Sequence, residues 1–333
     1  MEKLLHKIEV AKDIGPREFV AVKLHFGDKD NETCVPPEAL CPVIEHFQAK
    51  DAHVFLTETA TLYKGVRMNA VVHLKHAIEQ GFTYEKLGAP IICADGLSGD
   101  SEVAVEIPGK LFEEVFIARE ARMADFIFVL SHMTGHMLTG FGGTIKNLGM
   151  GLASRKGKMR QHSSMSPKVK KENCTLCKKC FDWCPVEAIS QEGNVASIDE
   201  HTCIGCGECL SVCRFDAIAY DWAADGKWMS RAMAEHALGA VYHKRAFYMM
   251  DCCSMTQQCD CVPFSQEKLI PDLGVLASWD PVALDQAALE LTKKEKGKDL
   301  SQLAFPDVDG ELQIVHAEEI GLGNRTYELI EVE

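Results

Sequence analysis

The chain has 333 residues, of which 47% are hydrophobic and 25% charged, as in an ordinary globular protein. Its formal net charge of −14 argues against a nucleic-acid partner, and no apolar run reaches the length of a membrane span. The first residues, Met1 to His6, lack an apolar signal region, so we expect a cytoplasmic protein. Fifteen cysteines in a reducing compartment indicate metal ligation and not disulfides.

Residues 1–165 alternate between helical and strand patterns. The predicted helices are Glu2–Ile14, Pro37–Ala49, Val66–Gln80 and Thr144–Ala153. The predicted strands are Phe19–Leu24, His53–Thr57, Pro90–Cys93, Val103–Ile107, Val115–Ile117 and Asp125–Leu130. The last of these strands is the most apolar, which favours a central position buried on both faces. The alternation predicts an α/β domain with a mixed, mostly parallel sheet flanked by helices.

A glycine-rich segment, residues 131–149, follows this strand directly and contains His132, His136 and Lys146. Ligands of open α/β sheets bind beyond the carboxyl ends of strands, and the helix that begins near Thr144 is expected to offer free N–H groups to an anion. We therefore predict a catalytic or metal site here, in which Lys146 fixes a carboxylate or phosphate. His25 also follows a strand and is expected to converge on it. The alternative is a tight turn with ordinary loop histidines.

The next segment, Arg155–Lys171, contains seven lysines and arginines and no acidic residue, and serines and a proline interrupt it. This composition predicts a solvated basic linker. The alternative is a cationic collar that docks an acidic redox partner or offsets the negative charge of a cofactor.

Two copies of the spacing C-x2-C-x2-C-x3-C lie between Cys174 and Cys213. This is the ligand run of bacterial ferredoxins with two [4Fe–4S] clusters, in which the fourth cysteine of each run ligates the other cluster. We assign the ligands accordingly: cluster 1 takes Cys174, Cys177, Cys180 and Cys213, and cluster 2 takes Cys203, Cys206, Cys209 and Cys184. Zinc ribbons use paired C-x2-C knuckles and lack this doubled run. Pro185 follows the first run, whereas Arg214 replaces the corresponding proline in the second.

The α/β pattern resumes after the cysteine-rich segment. The predicted elements are a helix at Lys227–Lys244, strands at Arg245–Met250 and Leu273–Ala277, a helix from Pro281 to Lys293 capped by Asp280, and a strand at Tyr327–Val332. We therefore predict that a ferredoxin-like α+β domain, residues 166–222, is inserted into one α/β domain formed by residues 1–165 and 223–333.

Four more cysteines, Cys252, Cys253, Cys259 and Cys261, follow the strand that ends at Met250. They form either an additional metal or cluster site, a redox pair, or a set of reduced thiols. We favour Cys259 and Cys261 as the functional pair, with His25 as a further candidate metal ligand. Asp285 is a candidate acid at the site.

The chain resembles the domain-of-unknown-function 362 family with an inserted two-cluster ferredoxin. The matching segments are Val20–Gly27, Thr61–Asn69, Gly88–Ile91, Ser131–His136, Phe141–Gly151, Cys259–Cys261 and Leu276–Gln286. The resemblance implies an iron–sulfur protein of anaerobe-type metabolism and covers most of the chain. Arg214 and the Cys252–Cys253 pair depart from the family pattern. A more distant likeness to nickel-dependent hydroxyacid racemases carries no residue assignment.

These patterns support three functional hypotheses. The first is an electron-transfer protein or iron–sulfur oxidoreductase, whose clusters connect a redox partner protein with a site for a small anionic substrate in the α/β domain. The second is a metal-dependent isomerase or hydrolase with structural clusters. The third is a redox-sensing interaction subunit without a substrate site.

The cysteine spacing predicts the metal content directly. Protein purified without oxygen should contain about eight irons per chain, because two cubanes of four irons are expected. Metal analysis checks this number. A content near four irons, or zinc in place of iron, would refute the ligand assignment.

Overall fold

The computed structural model describes residues 1–63, 65–162, 167–203, 207–219 and 226–332. Before the cysteine-rich segment the helices are α1 (Glu2–Ile8), α2 (Cys41–Gln48), α3 (Ala70–Glu79), α4 (Tyr84–Leu87), α5 (Arg119–Met123), α6 (Thr144–Gly149) and α7 (Arg155–Gln161). The strands are β1 (Phe19–Lys23), β2 (His53–Glu58), β3 (Ile91–Cys93), β4 (Glu102–Glu106), β5 (Glu114–Ala118), β6 (Phe126–His132), β7 (Thr134–His136) and β8 (Gly140–Gly142). A 3-10 turn at Pro37–Leu40 precedes α2.

The cysteine-rich segment contains β9 (Lys168–Val169), a 3-10 turn (Lys171–Asn173), α8 (Lys179–Asp182), β10 (Ile189–Glu192), β11 (Val195–Ile198), α9 (Glu208–Val212) and β12 (Ile218–Ala219). After it come α10 (Gly226–Val241), β13 (Arg245–Asp251), β14 (Val275–Ser278), α11 (Pro281–Lys296), α12 (Leu300–Ala304) and α13 (Leu312–Glu319). None of the described helices is both long and apolar enough to cross a bilayer.

A six-stranded sheet with the order β14-β13-β6-β1-β2-β3 forms the centre of the α/β domain. All neighbours are parallel except β14, which pairs antiparallel with β13. This confirms the predicted α/β class. Strands from both sides of the cysteine-rich segment pair in this one sheet, since β13 lies next to β6.

The central strand β6 is buried on both faces, as its apolar sequence predicts. Ile127 and Val129 pack into the core on one side of the sheet, while Phe128 and Leu130 pack into the core on the other side. Successive side chains of a strand point to opposite faces, so one apolar strand serves two cores. Helices α6, α10 and α11 contribute to the first core and α2 to the second.

The basic segment is not a simple linker. Residues 155–161 form α7, whose N-cap is the Ser154 side chain, which accepts a hydrogen bond from the Gly157 N–H. Lys158 is buried, and its ammonium donates hydrogen bonds to Thr59 Oγ1 and the Ala153 carbonyl. Because the Lys158 ammonium has hydrogen-bond acceptors inside the protein, a segment rich in basic residues can still be partly buried. Ser163, Ser164 and Ser166 lie outside the described residues.

Two other predicted elements end differently in the structure. The first helix stops at Ile8 because Glu9 adopts a left-handed backbone conformation at its C-cap. Residues 327–332 form no strand; Tyr327 instead donates its hydroxyl hydrogen to Glu290 on α11. The predicted Asp280 cap is confirmed, because its carboxylate accepts hydrogen bonds from the N–H groups of Val282 and Ala283.

A glycine sets the distance between α6 and α10. A Cβ atom on Gly149 would overlap the carbonyl oxygen of Met233 on α10. We expect Gly149→Ala to lower the free energy of unfolding by about 1–3 kcal/mol, because the two helices must separate. Denaturant unfolding measures this loss. Gly15→Ala is the control, since a Cβ there would lie 3.6 Å from Glu18, an ordinary contact; equal stability of the two variants would contradict the packing described.

Candidate functional site

The carboxyl ends of four neighbouring strands bring polar side chains together. Lys23 ends β1, Glu58 ends β2 and His132 ends β6. The loop that connects β13 with β14 adds Asp260 and Cys261. Parallel strands place these ends at one edge of the sheet, where ligands of such sheets bind. We call this group the strand-end site.

His132 and Asp260 form a buried ion pair in the strand-end site. His132 Nδ1 lies 2.7 Å from Asp260 Oδ2, and His132 Nε2 lies 2.7 Å from the carbonyl oxygen of Cys253. Both partners can only accept, so both ring nitrogens carry a hydrogen and the ring is an imidazolium. Burial disfavours this charge, but Asp260 outweighs it and raises the pKa of His132 to about 9.

The β13–β14 loop places a sulfur pair beside a lysine. Cys259 and Cys261 are joined by a disulfide and flank Asp260, whose second oxygen accepts a hydrogen bond from Thr33 Oγ1 at 3.3 Å. Lys146 Nζ lies 3.9 Å from Cys261 Sγ. The predicted loop after β6 and the predicted cysteine pair therefore meet in the same site.

Lys146 reaches this site from α6 across a glycine. A Cβ on Gly142 would lie 2.7 Å from Lys146 Cδ, so only glycine leaves room for the lysine stem. Burial lowers the pKa of Lys146 to about 8, opposed by the negative charge of Asp260. At neutral pH the lysine is still mainly an ammonium ion, yet it can release a proton near physiological pH.

The N-terminus of α6 is not a free anion site. The Asp285 carboxylate accepts hydrogen bonds from the N–H groups of Thr144 and Ile145, at 2.7 and 3.0 Å. The expectation of free N–H groups near Thr144 was wrong, because a side chain from α11 already occupies them. Burial raises the pKa of Asp285 to about 7. Asp285 is therefore a helix cap from a distant element.

An arginine that the motif analysis did not single out organises the other half of the site. Arg67 donates two hydrogen bonds to Asp28 Oδ2, at 3.1 and 2.9 Å, and one to Tyr63 Oη at 2.6 Å. Its third nitrogen lies 2.8 Å from His25 Nε2. Burial and this guanidinium lower the pKa of His25 to about 3, so His25 is neutral. The charge of Asp260 also reaches His25, which places it at the strand-end site.

Lys23 and Glu58 connect the two halves. Lys23 Nζ donates to Asn147 Oδ1 at 2.7 Å and lies 3.5 Å from Glu58. Glu58 also faces Arg67 at 3.6 Å and His73 at 3.3 Å. Burial lowers the pKa of Lys23 to about 8. Burial acts in the opposite direction on Glu58, but the Lys23 ammonium, together with His25 and His73, holds the pKa of Glu58 well below its usual range. Glu58 therefore stays ionised and keeps the buried cations charged.

His136 lies at the side of the site. Its Nδ1 is 2.8 Å from Thr139 Oγ1. Burial lowers the pKa of His136 well below its usual range, and the Lys146 ammonium adds to this effect. His136 is thus a neutral imidazole close to Lys146, unlike the charged His132.

The cysteines assigned to cluster 1 lie close together. Cys174, Cys180 and Cys213 pack in one small hydrophobic group, and burial raises the pKa of Cys180 to about 11. Cys174 and Cys213 each accept a backbone N–H hydrogen bond, from Ala196 at 3.3 Å and from Ala217 at 3.4 Å. Neighbouring cysteines with N–H donors are the residue types that would hold a cubane cluster, which would stabilise the thiolate form.

Three of the cysteines assigned to cluster 2 line one cavity. Cys184, Cys203 and Cys209 enclose about 10 Å³, and the other walls are mainly apolar. Ala188 N donates to Cys184 Sγ at 3.2 Å, which repeats the contact between Ala217 and Cys213 in the other run. Cys206 lies outside the described residues. The three described cysteines are of the residue type that would hold the assigned cluster.

The additional metal site stays a prediction. Among the described residues, no three His, Cys, Asp or Glu side chains are arranged to hold a single metal ion. His25 faces the Arg67 guanidinium, and Cys259 and Cys261 are bonded to each other. In this form the three candidate ligands have other partners.

The ferredoxin-like segment contacts the α/β domain through α7. Lys156 on α7 lies 3.3 Å from Glu208 on α9 and 3.8 Å from Glu102 on β4. A Cβ on Gly207 would overlap the Met159 side chain, so α7 and the start of α9 are in close contact. Cys209, a predicted ligand of cluster 2, follows Glu208 on α9 and so lies next to this contact.

A family model described as "Domain of unknown function (DUF362)" matches residues 20–290, which is most of the chain. The chain belongs to the DUF362 family. This confirms the resemblance drawn from the residues. The match includes β1, the loop after β6, the ferredoxin-like segment and the β13–β14 loop, and hence every residue of the strand-end site.

Curated relatives of this DUF362 protein match shorter stretches. It is 37% identical over 74 residues to "Pyruvate synthase subunit PorD" of Thermotoga maritima, which is 20% of this chain and 75% of that protein. It is 40% identical over 60 residues to "Ferredoxin-1" of Caulobacter vibrioides, covering 17% of this chain and 53% of the relative. It is 38% identical over 53 residues to "Ferredoxin-2" of Chlorobaculum tepidum, which is 14% of this chain and 86% of that protein. The chain therefore has a ferredoxin-like part with capacity for iron–sulfur electron transfer.

Two solved structures are similar at low identity. The lactate racemase apoprotein of Thermoanaerobacterium thermosaccharolyticum has 12% identity and a TM-score of 0.45 over 89% of this chain and 56% of its own. A Thermotoga maritima protein has 10% identity and a TM-score of 0.41 over 88% of this chain and 59% of its own. The DUF362 chain thus spans less than two thirds of either.

The His132–Asp260 pair predicts a pH dependence. In Asp260→Asn the pKa of His132 should fall from about 9 towards its ordinary value near 6.5, because the neutral amide no longer stabilises the imidazolium. NMR titration of the His132 ring measures this change, with Asp307→Asn, an exposed carboxylate, as the control.

The same pair makes stability depend on pH. Because the folded pKa of His132 is raised, its stabilisation is complete below about pH 6.5 and disappears as the pH rises through about 9. The loss in wild type should be about 3 kcal/mol and absent in Asp260→Asn. A His132 pKa that is the same in both proteins would contradict the pairing.

Proposed function

We propose that this DUF362 protein is an electron-transfer protein with two [4Fe–4S] clusters, which connect a redox partner protein with the strand-end site. The observation that carries this proposal is the contact of α9 with α7. It supports a position for cluster 2 beside α7. When bound, the clusters supply one-electron chemistry. The chain's own residues hold them and determine where electrons can enter and leave.

The order of the two clusters follows from exposure. Cys177 of cluster 1 is exposed, whereas Cys209 of cluster 2 is buried near α7. A partner would reach the cluster held by Cys177 more easily, and Cys209 would hold the inner one. Helix α7 links this inner position to the strand-end site, because Lys158 donates a hydrogen bond to Thr59, the residue after Glu58.

The hydrogen-bond donors of the strand-end site suit a small anion. The described cations there are Lys23, Arg67, His132 and Lys146, and the described carboxylates are Asp28, Glu58, Asp260 and Asp251, which ends β13 beside His132. The charges are therefore balanced in number, and a small anion would find hydrogen-bond donors in the lysines and in Arg67.

The surface near cluster 1 suits an acidic partner. Lys168, Lys171, Lys178 and Lys179 are exposed and lie before or within the run that contains Cys177, where they outnumber the exposed acids Glu172 and Asp182. The chain as a whole is acidic, so this basic patch is a local exception. Charge complementarity increases association rates by steering partners to such a patch. This location agrees with the cationic collar weighed for the basic segment.

A second candidate function is a metal-dependent isomerase or hydrolase with structural clusters. The observation that favours it is the imidazolium of His132 close to Lys146, whose pKa near 8 suits proton transfer. Such an enzyme would turn over at equal rates with oxidised and reduced clusters. An electron-transfer function requires that the reduced clusters lose their electrons.

Reduction by an acidic donor tests the proposed function. The holoprotein should accept electrons from an acidic flavodoxin, and electron paramagnetic resonance should then detect reduced clusters. In Lys171→Glu/Lys179→Glu the second-order rate should fall about tenfold at low salt, because electrostatic steering is reversed. Reduction by a neutral photoreduced flavin should be unchanged.

The control for this test is Lys293→Glu/Lys294→Glu, which makes the same charge change on the exposed face of α11. It should leave the rate as in wild type. A fully iron-loaded protein that accepts no electrons would reject electron transfer and favour structural clusters.

A further inference from the structure

We propose that the Cys259–Cys261 disulfide is a second redox centre, which accepts two electrons from the clusters and becomes a dithiol at the strand-end site. This inference rests on the proposed electron-transfer function. It assigns to the α/β domain an electron acceptor made of protein atoms alone.

The disulfide is placed for reactivity at the strand-end site. Cys259 is 9% exposed, whereas Cys261 is more open and lies next to Lys146 Nζ. An ammonium ion beside a sulfur favours its thiolate, which is the reactive form in thiol–disulfide chemistry. Reduction would therefore leave Cys261 as the exposed thiolate and Cys259 as the shielded thiol.

The surrounding contacts hold the two sulfurs close together. Asp260, between them, is fixed by His132 at 2.7 Å and by Thr33 at 3.3 Å. The residues just before the pair are tied to β7, because Gly135 N donates to the Thr256 carbonyl at 2.8 Å. A loop fixed at these points keeps the thiols adjacent after reduction, so the bond can form again.

The neighbouring pair Cys252 and Cys253 differs in each respect. Cys252 is fully buried, and burial with the charge of Asp251 raises its thiol pKa far above the usual value. The same two causes raise the pKa of Cys253 to about 11. No described lysine or arginine contacts either sulfur, so these residues stay thiols.

The electron balance is complete. Each reduced cluster supplies one electron, and the two electrons break the S–S bond. One proton from solvent converts Cys259 to a thiol, and Cys261 remains a thiolate paired with the Lys146 ammonium. The ultimate reductant is the one-electron redox partner of the proposed function. In the reverse direction the Cys259 thiol releases its proton to solvent, the S–S bond forms again, and two electrons would return to the clusters.

A reductive titration of the oxidised holoprotein tests this inference. With photoreduced deazaflavin, wild type should consume about four electrons per chain, two for the clusters and two for the disulfide. Cys259→Ser should consume about two. Differential alkylation and mass spectrometry should find two new thiols in wild type, in the peptide that contains residues 259–261.

Cys41→Ser, on the distant helix α2, is the matched control and should consume four electrons as wild type does. If Cys259→Ser does not fold, Cys261→Ser provides the same comparison. Two electrons in wild type with the disulfide intact would overturn this inference and leave the clusters as electron carriers. Clusters that cannot be reduced at all would refute the proposed function, and the inference with it, since its electron source would be absent.

Discussion

The imidazolium of His132 and the carboxylate of Asp260 meet across 128 residues of sequence, at the carboxyl end of the central strand. This contact fixes the β13–β14 loop against β6 and so determines where Cys259 and Cys261 lie. It also supplies a negative charge that acts on Lys146 and His25. This ion pair therefore holds the loop after β6 and the cysteine pair in the same site.

Burying several charged side chains lowers the stability of the fold unless each charge has a partner of opposite sign or a hydrogen bond. The strand-end site meets that condition in two groups, with Arg67, Asp28 and Glu58 on the β1–β2 side and His132 with Asp260 on the β6–β13 side. Lys23 belongs to the first group and Lys146 to the second, and the pKa of each lysine is lowered to about 8. The site is thus charged but nearly balanced, and it is suited to respond to one added anion or to a change in the charge of one sulfur.

The sequence allowed prediction of the features that depend on local spacing, and not of those that depend on distant partners. The doubled cysteine run, the apolar strand β6 and the Asp280 cap are local patterns, and the sheet and the cap were confirmed. Asp260 and Asp285 carry no such pattern, because their partners lie 128 and 141 residues away. The role of Asp285 was misjudged for this reason. Helix α7 was missed because a run of basic residues suggested solvent, although Lys158 finds its acceptors inside the protein.

The pairing of β13 with β6 has a consequence for the order in which the molecule is built. These two strands can meet only after the whole ferredoxin-like segment between them has been synthesised. Loop-closure entropy grows slowly with length, by about 0.6 kcal/mol for each doubling, so an intervening segment without its iron adds little to the barrier. The six-stranded sheet can therefore close whether or not the segment between β6 and β13 has already folded, so the connectivity of the chain does not require the two parts to fold in a fixed order.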